Sequence, residues 1–455
     1  MAGSRKWRSS ELGARVRAEL ERHVPRGARL TLALSGGVDS IALLDLLAAL
    51  APRHALVLDC VHVDHGLSPN APAWARFARA AARGYRLRCT VRKVDLAPYR
   101  ALGLEGAARA ARYAALAALR SDFVALAQHQ DDQAETVLLQ LVRGAGLAGL
   151  AGMPALRAPA RGARAGPALF RPLLGATRTE IETYARARGL DWVEDESNSD
   201  TRRARNLVRH RVLPLLREVN PGAVANLARS AALIADANDL LGTLAAADAG
   251  HGVLEVAALA ALPAPRARNA LRWLLAQAGA AAPERARLDE ARRQLIGARA
   301  DAAVRVPVGN AEFRRYQGRV RVVRQRPPVP RAFAAPWPGG AVWRIPELDG
   351  VLRFRRVRGR GLSAARVAAG TIEVRARRGG ERLRIDEHRP RRTLKALLRE
   401  SETAPWERER LPLLHCDGVL AWVPGIGVAA GFRARPGEPG LEPVWEGSRE
   451  TLLEK

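Results

Sequence analysis

Three clusters in the first half of the chain have the residue types and spacing that chemistry on a phosphate needs. The first is Ser35-Gly36-Gly37-Val38-Asp39-Ser40. Its glycines let backbone N–H groups approach an anion, and a helix start directly after them favours negative charge. No lysine follows, so this is not the G-x-x-x-x-G-K-[ST] cradle of the common nucleoside triphosphatases. The second is His129-Gln130-Asp131-Asp132-Gln133-Ala134-Glu135. On a helix, Asp131 and Glu135 stand at i and i+4, and Asp132 and Glu135 at i and i+3, so the carboxylates share a face. Such a face can hold Mg²⁺ beside phosphates or receive a cationic amine. Its structural alternative is an acidic first turn, which the helix dipole stabilises by ~0.3–1 kcal/mol. The third is Arg205 and Arg209, at i and i+4, a pair able to fork onto phosphates or to pair with the acids upstream at Glu194, Asp195 and Glu196.

His62-Val63-Asp64-His65-Gly66-Leu67 adds two imidazoles and a carboxylate at a strand end. Positions i and i+3 of an extended strand point to opposite faces. That argues against zinc and for a nucleotide-contacting turn.

The elements that must position these groups alternate. Leu30–Leu34, Ala55–Val63, Arg88–Val94 and Phe123–Ala127 read as strands, and Ile41–Leu50, Ala73–Arg83 and Gly106–Leu119 as helices. The pattern predicts an α/β fold with a doubly wound parallel sheet, whose ligands bind beyond the carboxyl ends of the strands. Residues 1–217 form this unit. Residues 156–168, rich in Arg, Ala, Gly and Pro, read as an exposed loop. Residues 218–325 read as a mainly helical domain with a hairpin over Gly309–Val323. Residues 326–370 read as a Pro- and Arg-rich linker or crossover, and 371–445 as a small mixed C-terminal domain.

Charge is the outlier of the composition. Lys+Arg number 74 against 46 Asp+Glu, a net +28, which suits a polyanion such as nucleic acid. Residues 353–399 hold 16 Lys/Arg and 4 Asp/Glu, and Arg377, Arg378, Arg382, Arg392 and Lys395 crowd its end. Three scattered cysteines form no C-x-x-C pair. With no signal-like start and no long apolar run, the expectation is a cytoplasmic protein without membrane contact. A homodimer is among the assemblies the sequence allows.

S-G-G-V-D-S resembles the PP-loop of ATP pyrophosphatases, which grips the β- and γ-phosphates and releases pyrophosphate and AMP. The wider chain resembles the bacterial tRNA(Ile)-lysidine synthetases. The resemblance runs through H-V-D-H-G-L (62–67), E-G-A-A-R-A-A-R-Y (105–113), Q-H-Q-D-D-Q-A-E-T (128–136), R-G-A-G-L-A-G-L (143–150) and R-P-L-L (171–174). It continues through E-D-E-S-N (194–198), R-N-L-V-R (205–209), R-R-G-G-E-R-L-R (377–384), L-K-A-L-L-R-E (394–400) and P-W-E-R-E-R-L-P-L-L (405–414). Trp406 stands where the family commonly has a second proline. Residues 218–325 and the Pro-rich crossover match only in character.

What the resemblance implies is specific. ATP, with Mg²⁺, adenylates C2 of the wobble cytidine in the CAU anticodon of tRNA(Ile), and free L-lysine then displaces AMP. Ser35, Gly36, Gly37, Val38, Asp39, Ser40, His62 and His65 would bind ATP. Asp39, His129, Asp132 and Glu135 would be catalytic, with Asp39, Asp132 and Glu135 at the metal or, for the last two, the lysine amine. Arg205, Arg209, Arg377, Arg378, Arg382, Arg392 and Lys395 would contact tRNA. The rival in the same class is a tRNA 2-thiolation enzyme, which needs catalytic cysteines or an iron–sulfur cluster. The rival from another class is a non-catalytic tRNA-binding protein.

Overall fold

The computed structural model describes residues 11–159, 166–194, 196, 200–299, 302, 304–401 and 403–447. Residues 160–165 of the expected 156–168 loop, and Asp195, Ser197 and Asn198 of the acidic segment, lie outside these residues. The described ends of that loop carry Leu156–Arg157 and the start of Ala168–Phe170 as strands. The chain divides into two compact units, one ending at Leu240 and the other beginning at Leu241.

In the first unit, β1 (Arg29–Ala33), β2 (Val57–Asp64), β3 (Cys89–Lys93), β4 (Phe123–Ala125), β5 (Leu156–Arg157) and β6 (Ala168–Phe170) form one sheet in the order β3-β2-β1-β4-β6-β5. All pairings are parallel except β5–β6. The doubly wound expectation therefore holds, and the strand order reverses at the β1/β4 boundary, the position where such sheets bind ligands. Strand β1 is apolar because it is central: Leu30 and Leu32 have no exposed surface. The helix after it, Val38–His54, buries Ile41 through Leu47 without interruption. It packs under the sheet on the helices Glu11–His23 and Arg178–Ala187. Asp45, the one acid in that run, is fully bonded. Tyr85 Oη donates to its Oδ1 at 2.9 Å, Tyr184 Oη to its Oδ2 at 2.5 Å, and Arg188 to both oxygens.

The helix Gln130–Val142 follows β4, and its apolar side meets a helical stretch that begins at Ala204. That stretch contains a π turn, Val208–Val212, before continuing as Leu213–Val219. Ala134, Val208, Leu213 and Val224 share a small core. Val224 belongs to the long helix Ala223–Asp248. The first unit thus runs past the expected boundary at 217/218, because the start of that helix packs on Gln130–Val142 and Leu213–Val219.

The second unit is less helical than expected. The helices Val256–Ala261, Ala264–Gln277 and Arg285–Gly297 pack on a four-stranded sheet of β7 (Leu254–Glu255), β8 (Arg305–Val308), β9 (Ala311–Tyr316) and β10 (Arg319–Arg324), the last two being the expected hairpin. Residues 326–370 are not a linker. They contribute Ala334–Pro336, Val342–Ile345, Gly350–Arg358 and Leu362–Ser363 as strands. Trp343, Ile345, Leu352 and Phe354 from this segment share a core with Val374, Leu414 and Trp422. Prolines punctuate these strands without breaking them, since they fall at the ends or edge.

Candidate active site

Two loops at the switch point build the site. The first is the turn from β1 into Val38–His54. Gly36 has φ +95°, and a Cβ there would lie 2.9 Å from Val193 Cγ2. Val193 N–H donates to the Gly36 carbonyl at 3.0 Å, so the loop is pressed against a neighbouring segment with room for glycine alone. Gly37 caps the helix in extended backbone without a side-chain cap bond. The loop's own hydroxyls satisfy its amides: Gly36 N–H donates to Ser40 Oγ at 3.1 Å and Gly37 N–H to Ser35 Oγ at 3.4 Å. Ser35 Oγ donates to Ser40 Oγ, which donates to the Gly37 carbonyl. These are weak, local bonds that phosphate oxygens can replace. Val38 is buried and begins the helix.

The second loop ends β4 at His129, the N-cap of Gln130–Val142. Asp132 Oδ2 accepts from the His129 backbone N–H at 3.0 Å, a reciprocal cap that fixes the turn. The His129 ring is 1% exposed and lies among three carboxylates. Its Nε2 is 3.7 Å from Asp39 Oδ2 and 3.5 Å from Asp132 Oδ2, and its Nδ1 is 3.6 Å from Asp131 Oδ2. Burial opposes the imidazolium, but Asp132, Asp131 and Asp39 outweigh it and raise the His129 pKa. The Asp39 pKa is raised as well, but with burial as its cause, against the pull of His129 and Arg178, and its Oδ1 is buried without a hydrogen-bond partner. Burial also works against the Asp131 and Asp132 anions. His129, the Arg178 amide and Arg217 lower Asp131, while His129, Arg205 and Arg209 lower Asp132.

Glu135 and Asp132 are clamped by both arginines. Arg205 Nε is 2.6 Å from Glu135 Oε2, and its Nη2 is 3.0 Å from Asp132 Oδ1. Arg209 Nε is 2.5 Å from Glu135 Oε1, and its Nη2 is 3.0 Å from Asp132 Oδ1. The ion-pair alternative for these arginines holds, with acids 70 residues upstream instead of the neighbouring ones. This arrangement commits Nε and Nη2 of both guanidiniums to acids of the site, and both oxygens of Glu135, which has no exposed surface, to arginines. Among the described residues, no three His, Cys, Asp or Glu side chains gather as a metal-ligand set.

The remaining expected residues separate. His62 is buried, and its Nδ1 bonds the Leu34 carbonyl at 2.9 Å, bracing the root of the glycine loop. His65 keeps a buried Nδ1 without a partner, and burial with the nearby Arg112 lowers its pKa. In the second unit, Arg392 is forked onto Glu400, Arg377 lies 3.9 Å from Glu381, Arg378 bonds the Arg331 carbonyl and Arg382 the Arg391 carbonyl. Lys395 is exposed, as are Arg384, Arg391 and Arg399. Sequence reasoning missed Arg217, whose Nη2 is 2.6 Å from Asp131 Oδ1; nothing in its spacing signals that pairing.

Cys60 and Cys89 are register partners on β2 and β3. Burial pushes the Cys60 thiol up to about 12 and raises that of Cys89, the opposite of what a sulfur-transferring thiolate needs.

A glycine loop at a sheet's switch point, with an acidic helix start across from it, defines a PP-loop ATP-binding domain. A family model described as a PP-loop domain matches residues 12–216. Models described as the TilS substrate binding domain and the TilS substrate C-terminal domain match 254–321 and 372–445. The chain is 45% identical to the tRNA(Ile)-lysidine synthase of Azoarcus sp. (strain BH72) over 423 residues, 92% of each chain. It is 40% identical to that of Nitrosomonas europaea over 437 residues, 94% of each. To that of Aromatoleum aromaticum it is 43% identical over 431 residues, 92% of this chain and 97% of the other. The chain belongs to the tRNA(Ile)-lysidine synthase family.

Proposed function

We propose that this protein uses ATP to adenylate the C2 carbonyl oxygen of the wobble cytidine in the CAU anticodon of tRNA(Ile), and then joins the amine of free lysine to C2. The observation that carries the reading is the approach of Asp39 to His129, 3.7 Å from Oδ2 to Nε2, at the ends of adjacent parallel strands. An amide-like carbonyl oxygen is a poor leaving group, and its adenylate is a good one. In the first step the C2 oxygen bonds the α-phosphorus and pyrophosphate leaves. In the second the neutral amine forms the C–N bond, the C2–O bond breaks with its electron pair leaving on AMP, and the amine gives up a proton to water.

The Gly36 and Gly37 amides and the Ser35 and Ser40 hydroxyls receive the pyrophosphate end of ATP, exchanging their present bonds for phosphate oxygens. Three carboxylates raise the His129 pKa against burial, which favours a positive charge where negative charge develops. Asp39 is the carboxylate that fits Mg²⁺, because its Oδ1 is buried, unpartnered and disfavoured as a bare anion. Mg²⁺ needs only one or two carboxylates beside phosphates, and when bound it neutralises phosphate charge. Glu135 acts through Arg205 and Arg209, keeping them on Asp132 and so keeping Asp132 on the His129 cap. The exposed Arg384, Arg391, Lys395 and Arg399 give the second unit a surface for RNA phosphates.

The test is incorporation of labelled lysine into a tRNA(Ile) transcript carrying CAU, with ATP and Mg²⁺. A transcript with wobble uridine in place of cytidine should take up no label.

A further inference from the structure

Four arginines converge on one tyrosine of the first unit. Tyr113 lies on the helix Gly103–Ala117, and Arg109 and Arg112 of the same helix place their guanidiniums 5.1 and 5.8 Å from its ring centroid. Arg157, from β5, lies 5.1 Å from the same centroid. Arg171, just past β6, is 2% exposed, and its charge acts on the Tyr113 phenol. It is held in place by Gln128 Oε1 at 2.5 Å and the Pro154 carbonyl at 2.9 Å.

Among the described residues, none of the four arginines pairs with a carboxylate, although Arg205 and Arg209 take two each. Burial, with the neighbouring guanidiniums, pushes Arg112 and Arg171 below the usual arginine value. The chain gathers like charges here against their repulsion and leaves two of them, Arg109 and Arg157, exposed. A guanidinium fork matches phosphate oxygens bidentately, and stacking on an aromatic ring orients it. Arg112 is also close enough to His65 and Asp132 for their charges to interact, so the cluster borders the candidate active site.

We propose that Arg109, Arg112, Arg157 and Arg171, gathered on Tyr113, form a subsite for an RNA backbone phosphate beside the nucleotide being modified. The proposal rests on the tRNA reading above. ATP already has its anion loop at Ser35–Ser40, whereas a polynucleotide carries further phosphates on either side of its reacting base. Contacts of this kind set the register of the strand and carry no base information.

The experiment uses the full-length protein and the double variant Arg109→Ala/Arg157→Ala, whose side chains are exposed and make no hydrogen bond that folding needs. It measures Kd for the CAU transcript across a salt series, KM for ATP, and the melting midpoint. The expected result is a tRNA Kd raised about 10-fold, a log Kd against log salt slope shallower by about 1–2, an ATP KM within about twofold of wild type, and an unchanged midpoint. Arg157→Lys should keep the salt slope while losing part of the affinity, because lysine keeps the charge without the fork. An unchanged tRNA Kd and salt slope would overturn the proposal, and so would a raised ATP KM with unchanged tRNA Kd, which would assign the cluster to ATP. A wild-type protein that does not bind the transcript at all would overturn the underlying reading itself.

Discussion

Arg209 Nε lies 2.5 Å from Glu135 Oε1, across 74 residues of sequence. With Arg205 on the other oxygen, Glu135 is an internal counter-ion. Removing one partner of a buried ion pair typically costs about 3–5 kcal/mol. Glu135→Ala is therefore expected to lower the unfolding free energy by about that amount, since it strands two guanidiniums. Urea unfolding checks this. Loss of activity without loss of stability would contradict the positioning role and favour direct contact with substrate.

Asp39 behaves in the opposite way. Burial raises its pKa, so the ionised carboxylate at neutral pH is a cost to the fold. Asp39→Asn should leave the melting midpoint unchanged or higher, while pyrophosphate release falls by at least about 10²-fold. A variant that melts lower and still releases pyrophosphate would contradict its place at the phosphates.

The glycine loop allows a controlled comparison. Gly36→Ala meets both a positive φ and a Cβ contact at 2.9 Å, whereas Gly27, at φ +78°, has nothing within 4 Å. Gly36→Ala should cost about 1–3 kcal/mol and weaken ATP binding. Gly27→Ala should cost about 1 kcal/mol, the backbone part alone, with ATP affinity unchanged. Isothermal titration with ATP and urea unfolding separate the two effects.

Asp45 gives the acid behaviour of the first unit. Burial would raise its pKa, but Arg188, Tyr184 and Tyr85 overcome that and hold it below the ordinary value. A depressed folded pKa adds stability above the unfolded value, about 3.9, and loses it as pH falls through the folded value. Asp45→Asn should cost about 1–3 kcal/mol at pH 7, and its gap from wild type should narrow as pH falls below about 4. A gap that stays constant from pH 7 to pH 3 would show that the charge of Asp45 contributes nothing.

The chemistry of the site was legible where it is local. Ser35–Ser40 sits between a buried strand and a buried helix, and both announce themselves as apolar runs. His129, Asp132 and Glu135 follow one strand and one turn of helix. The clamp was not legible as a clamp, because Arg205 and Glu135 meet through the packing of Val208 and Leu213 on Ala134, which no spacing encodes. Residues 326–370 read as a crossover because prolines crowd their first half, from Pro327 to Pro346. The period-two burial of Trp343 and Ile345, and of Leu352 and Phe354, was present beneath them. The arginine cluster on Tyr113 draws Arg157 and Arg171 from two other strand ends, so only its Arg109–Arg112 half is visible in sequence.

The central claim is that activation at the glycine loop ends in a C–N bond to lysine on the RNA. The most direct measurement combines labelled lysine, ATP, Mg²⁺ and the CAU transcript of tRNA(Ile), and follows label in the RNA and AMP in solution together. The account predicts one lysine incorporated for each AMP released, and neither product with Asp39→Asn. AMP release without labelled RNA, from protein that binds the transcript, would contradict it.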